Sequence, residues 1–165
     1  MAGKANIQDV LNEGFQAVMF GGVSNFAEPA GVIDTLLERA SNWVKDKIGA
    51  DNYANAQTGT YVLDCIVNAE VAYSSEQLWR RRIAFLDAAA SINLDANNRA
   101  AMLKEARALA DEAGGDKVFW LGEAQRALGL DVQADLPGTG VSTGMIETGI
   151  YPQVARAARN FGGVQ

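Results

Sequence analysis

Histidine is absent from all 165 residues. That removes the usual general base, the Ser-His and Cys-His nucleophile pairs and every imidazole metal site. Cysteine occurs once, as Cys65, which excludes a disulfide framework within one chain; beside Ile66 in a helical pattern it reads as a small buried hydrophobe. No run approaches the roughly eighteen apolar residues of a membrane span. The nearest, Phe15 to Val23, is broken by Gly21 and Gly22. Met1-Ala2-Gly3-Lys4 leads into no secretory apolar stretch, because Asp9, Asn12 and Glu13 interrupt it, so the expectation is synthesis in the cytoplasm. A basic surplus is lacking as well. The formal net charge of −6 argues against a general nucleic-acid binder, whose phosphate contacts need a basic face.

The remaining groups offer little for catalysis. Asp64, Glu70 and Glu76 fall on one helical segment, but Glu70 lies six residues from both and misses the three- or four-residue spacing that stacks side chains. Surface charge or pairing between subunits is the expected role for them. The glycine run from Gly138 to Gly144 lacks the Gly-Lys-Ser/Thr ending of a phosphate loop, and it neither follows a credible strand nor opens a strong helix. We therefore expect no catalytic residue, no cofactor, no metal and no enzymatic turnover.

What is present is helical periodicity. At 48% hydrophobic residues the chain can bury a real core, and one domain is the default. Asn6 to Asp9 reads as a helix cap, followed by a stripe of Ile7, Val10, Leu11, Phe15, Val18 and Met19 that ends at Gly21-Gly22, with a strand left open for the β-leaning tail Phe15 to Phe20. Pro29 suits a first helical position and Gly49 a left-handed cap; between them Ile33, Leu37, Ala40, Val44 and Ile48 share one face that must be buried. A polar turn from Ala50 to Ala56 follows. Proline is then absent from Gln57 to Ala90, which predicts a rod of roughly 50 Å at 1.5 Å per residue, weakest at Ser74-Ser75 and either overhanging the body or packing on neighbours. Asp95 opens a third helix with Leu103, Ala106, Leu109 or Ala110, and Ala113 on one face, stopped by Gly114-Gly115. Asp116 caps a fourth, Lys117 to Leu128, stopped by Gly129.

The expected fold is all-α: a bundle of about four helices with one long central helix and an extended C-terminal arm. Residues 1–131 form the helical domain, with 1–28 as an N-terminal segment, and residues 132–165 form the arm. Its glycines and prolines break any long element, yet Leu136, Val141, Met145, Ile146, Ile150, Val154 and Phe161 are too apolar for a freely solvated tail. Burial on another subunit accounts for them. Within it, Tyr151 and Phe161 are aromatic anchors, Pro152 can start a short helix, and Arg156 and Arg159 lie three apart on one face. With Glu147 these arginines are the only ionised side chains from Leu136 to Gln165, so the arm is positive on an acidic protein and suits an acidic groove.

The far end of the long helix carries Trp79, Arg80, Arg81, Arg82 and Phe85. Three successive helical positions spread over roughly 200°. One arginine should pair with a carboxylate of a neighbouring helix while the others are exposed, their stems covering Trp79 and Phe85. In an assembly their forks would match carboxylates of the next copy. An alternative is a small all-α ligand-binding domain or enzyme around a pocket near Trp43, Trp79 and Trp120.

The run LLERASNWVKDKIG, then Asn52-Tyr53, then a long helix ending SSEQLWRRRIAF, resembles the head-tail adaptor (connector, or head-completion) proteins of tailed bacteriophages. The resemblance covers roughly residues 29 to 90. It implies a structural virion protein at the neck: a homo-oligomeric ring, twelve-fold in that family, docked beneath the portal and offering a platform for tail or nozzle proteins. Its arm would settle in grooves of the portal or the adjacent adaptor, and DNA would pass through an acidic lumen as a passenger without sequence-specific binding. Trp79, Arg80, Arg81, Arg82, Phe85, Tyr151, Pro152, Arg156, Arg159 and Phe161 are then the candidate intersubunit or portal contacts.

Overall fold

The computed structural model describes residues 3–88 and 96–130. It is all-α, with no strand among the described residues. In chain order the elements are α1 (Ile7–Leu11), a 3-10 turn (Ala17–Phe20), α2 (Val32–Ile48), α3 (Ala50–Asn55), α4 (Tyr61–Ala88) and α5 (Ala96–Ala127). The chain divides into a unit of residues 1–135 and a unit of residues 136–165; the second, the expected arm, lies outside the described residues.

α4 is the central element. Its residues Ala69, Glu70, Val71 and Ala72 are all buried, and four successive positions complete a turn, so this stretch is covered from every side. α2 packs on it through the stripe read in the sequence: Ile33, Leu37, Ala40, Val44 and Ile48 are each at most 3% exposed. The amino half of α2 joins Val10, Phe15, Phe26, Val71 and Leu78 in one cluster. Its carboxyl half joins Tyr53, Cys65, Ile66, Ala69, Leu121 and Ala124 in another. Buried Ser74 and Ser75 leave α4 unbroken; Ser74 Oγ donates to the Glu70 carbonyl at 2.9 Å, while Ser75 Oγ is buried without a partner among the described residues.

α5 forms the most extensive pairing in the unit, with α4. Contacts of Tyr61 with Glu123 and of Glu76 with Lys117 set the two antiparallel. The expected overhanging rod is thus accompanied by a second helix. This corrects the reading of two helices parted by Gly114-Gly115, since α5 runs through both glycines. Each costs only about 1 kcal/mol against alanine in a helix, and Gly114 faces the Glu76 carboxyl, where an added Cβ would lie 3.7 Å away. Packing on α4 outweighs that local preference.

Three other boundaries differ from expectation. α2 begins at Val32, not Pro29, because the chain turns back on itself: Val32 N–H donates to Asn25 O at 3.1 Å and Ile33 N–H to Phe26 O at 3.1 Å. A Cβ at Gly31 would sit 2.0 Å from Asn25 O, so only glycine allows this approach. The turn from Ala50 is the short helix α3: Gly49 takes φ 86°, Asn52 Nδ2 donates to Ile48 O at 2.7 Å, and buried Tyr53 anchors the segment. At the amino end the Asn6–Asp9 capping box forms as read, but α1 stops at Leu11. Gly14 then takes φ 93°, and the stripe breaks: Phe15 is buried, whereas Val18 is 71% exposed.

Candidate functional site

The far end of α4 places each arginine differently. Arg80 reaches back one turn and donates from Nε at 2.9 Å and Nη2 at 2.7 Å to Glu76 Oε1. Its carboxylate partner is on the same helix, and the neighbouring helix supplies a cation: Lys117 Nζ of α5 donates to Glu76 Oε2. The expectation of a carboxylate from another helix is corrected accordingly. Lys117 also stands over the rings of Tyr73, at 5.5 Å, and Trp43, at 5.8 Å. Arg82 donates from Nη1 to the Met19 carbonyl and lies 5.6 Å over the Phe85 ring; burial pulls its pKa down from the ordinary guanidinium value. Arg81 is exposed and makes no ion pair or hydrogen bond among the described residues.

Arg81 stands at the mouth of a half-open pocket of about 180 Å³ whose other walls are Phe20, Val23, Phe26, Val32 and Phe85. The sequence had singled out Arg81 and Phe85 on one wall. The opposite wall comes from the segment between the 3-10 turn and α2, and its assembly depends on tertiary contacts with no local signature. Gly21 at φ 81° packs so closely that a Cβ would meet the Phe85 ring at 3.0 Å, and Phe20 stacks on Phe26 at 5.0 Å. Trp79, half-buried, leans on Phe15 with ring centroids 5.0 Å apart. Tyr151, Pro152, Arg156, Arg159 and Phe161 lie outside the described residues.

Glu70 and Glu76 are not surface charges. Both are almost fully buried, at 0% and 4% exposure, which overturns the expected role. Glu70 Oε2 accepts the Ala5 N–H at 2.7 Å, and Oε1 accepts the Tyr53 hydroxyl, which itself accepts the Lys4 N–H at 2.9 Å. The trio ties the amino-terminal segment to α3 and α4. Burial pushes the Glu70 pKa up, outweighing the hydrogen bonds from Ala5 and Tyr53; burial and the adjacent Glu70 raise that of Tyr53. At Glu76 burial also acts upward, but the hydrogen bonds and charges of Lys117 and Arg80 overcome it and hold the carboxyl below its usual range. The four-residue spacing of Glu76 and Arg80 could have announced their pairing, but the sequence reading did not use it. Tyr53, Lys117 and Met19 were missed as partners, since each contact joins residues distant in sequence.

Cys65 is wholly buried, and burial pushes its thiol pKa up, as for an unreactive core cysteine. The tryptophans divide between the clusters, Trp79 against the first and Trp43 and Trp120 against the second. Among the described residues no three of His, Cys, Asp or Glu are grouped to hold a metal ion, and no helix is long and apolar enough to cross a membrane. Comparison with known proteins finds no family model, no curated protein and no solved structure that matches this chain.

Proposed function

We propose that this chain is a head-tail adaptor of a tailed bacteriophage: a structural virion protein that assembles as a ring on the portal, prolongs the DNA channel and presents a platform for tail or nozzle proteins. The observation that carries the reading is the sequence of elements from Val32 to Ala88. A helix buried on one face is followed by a short tyrosine-bearing connection and then by a long helix whose end combines aromatics with cations. That order matches the pattern by which the chain resembles the family. The twelve-fold ring, the portal as docking site and DNA as a passenger belong to the resemblance.

The covered core agrees with a structural role for the first unit. Among the described residues only Val18, Tyr61 and Phe119 are large hydrophobics that remain exposed, so the unit can fold alone and join partners through restricted contacts. The net charge of −6 suits a conduit that does not retain DNA. The test is sedimentation of the full-length chain with and without portal rings encoded by the same genome. Co-migration with the portal is the expected result. A chain that stays in the slow fractions at saturating portal concentration overturns the reading.

A further inference from the structure

Two surface features of the first unit complement each other and cannot meet within one copy. The first is the pocket at the far end of α4, apolar on five sides with the unpaired guanidinium of Arg81 at its mouth. Its walls are set in advance, because Arg82 holds the Met19 carbonyl and Gly21 packs on the Phe85 edge. The second is Phe119 on α5, 54% exposed and held edge-on by Trp120 at 5.1 Å. Asp116 lies one turn before it on the same face and makes no ion pair or hydrogen bond among the described residues. Phe119 lies five residues past Gly114, which faces Glu76 of α4, while the pocket is built on Phe85, nine residues past Glu76 in the opposite direction. About fourteen residues of helix, roughly 21 Å at 1.5 Å per residue, separate those two levels.

We propose that Phe119 and Asp116 of one copy dock on the pocket and Arg81 of a second copy. The size fits: a cavity of about 150 Å³ accommodates benzene, and the pocket is about 180 Å³. The charge fits as well, a free carboxylate one turn from the ring meeting a free guanidinium at the rim. Chemistry and place select the occupant, since Tyr61 is already hydrogen-bonded to Glu123 and Val18 has no aromatic ring. The two patches differ, so the contact is heterologous, and a heterologous contact generates a closed ring when its rotation closes. This inference rests on the ring reading and names the surfaces that would build it.

The experiment replaces Phe119 with p-benzoylphenylalanine in the full-length chain and maps photo-adducts at concentrations up to about millimolar, above the dissociation constants of weak specific contacts. Adducts between copies on residues 20–32 or 81–85 are expected. Arg81→Asp or Asp116→Arg alone should lower their yield at least about fivefold through like-charge contact, and the two together should restore it. Both side chains lie outside the core, so these variants keep the fold, which circular dichroism checks. Adducts elsewhere on a second copy, the absence of adducts between copies, or a charge swap that restores nothing would overturn the proposal. Portal binding without these adducts would reject this contact and leave the adaptor reading standing; these adducts without portal binding would do the reverse.

Discussion

Glu70 and Glu76 lie six residues apart on the same helix, equally hidden from water, and the protein stabilises them in opposite ways. Around Glu70 the neighbours are donors without charge at contact distance: a backbone N–H from Ala5 and the hydroxyl of Tyr53. Lys4 and Lys45 lie over the Tyr53 ring, at 5.5 and 4.7 Å, and make no ion pair with the carboxylate. Around Glu76 two cations converge. Desolvation disfavours a buried carboxylate in both places, and only the second site returns enough electrostatic energy to favour the charge. The difference teaches where charge is engaged inside the unit; Arg81 and Asp116 are among the described charges that make no ion pair, so a partner can use them.

The comparison breaks most readily at Glu76. Replacing it with alanine strands Lys117 against aromatic rings, and we expect a loss of ~3–5 kcal/mol in urea unfolding. A loss below about 1 kcal/mol would mean that Lys117 simply turns to water. Glu70→Ala orphans the Ala5 N–H and the Tyr53 hydroxyl, each worth ~1–3 kcal/mol when buried and unsatisfied, and should cost roughly 2–4 kcal/mol.

Glutamine sharpens the contrast, because it keeps an acceptor and removes the charge. Glu70→Gln should cost under ~1 kcal/mol and Glu76→Gln about 2 kcal/mol or more, the difference measuring how far each site depends on ionisation. Equal costs would erase the distinction.

The pH dependences should have opposite signs. Glu70 has a folded pKa above its ordinary value of 4.5, so its contribution is full below that value and is lost as pH rises through the folded pKa. Glu76 has a folded pKa below 4.5; its contribution is present above 4.5 and is lost as pH falls through the folded pKa. Relative to the parent, Glu70→Gln should therefore gain stability as pH rises, and Glu76→Gln should gain it as pH falls. Unfolding curves that shift in parallel for both variants across pH 3 to 8 would contradict this.

The smallest effect concerns the adjacent serines. Ser74 donates to the Glu70 carbonyl and Ser75 has no partner among the described residues. Ser75→Ala should raise stability by up to ~1 kcal/mol, and Ser74→Ala should lower it by ~0.5–1.5 kcal/mol. Thermal melts with the same sign for both would show that the two hydroxyls are equivalent.

Legibility followed the range of the forces involved. The buried stripe of α2 could be read because five apolar residues repeat at helical spacing, and the Asn6 capping box because it closes within four residues. Gly114 and Gly115 misled because their helix-breaking tendency is local, whereas the surface of α4 that holds them in α5 is not. Pro29 misled for the same reason, since Asn25 and Phe26 fold back to set the cap at Gly31 and the helix start at Val32. At the candidate site the sequence identified Trp79, the three arginines and Phe85. The Glu76–Arg80 spacing could have assigned Arg80, but no local signal told Arg81 from Arg82, because that depends on Met19, sixty-three positions from Arg82. Phe119 is exposed although its neighbours Leu121 and Ala124 fill the core, a difference that apolar character alone does not reveal.

The most direct test of the adaptor assignment is single-particle electron microscopy of portal rings incubated with the full-length chain. The account predicts a collar on the tail-facing end of the portal, twelve copies to the ring, continuing the central channel, with α4 and α5 fitting its density. Bare portals, or copies bound singly at scattered positions, would contradict it.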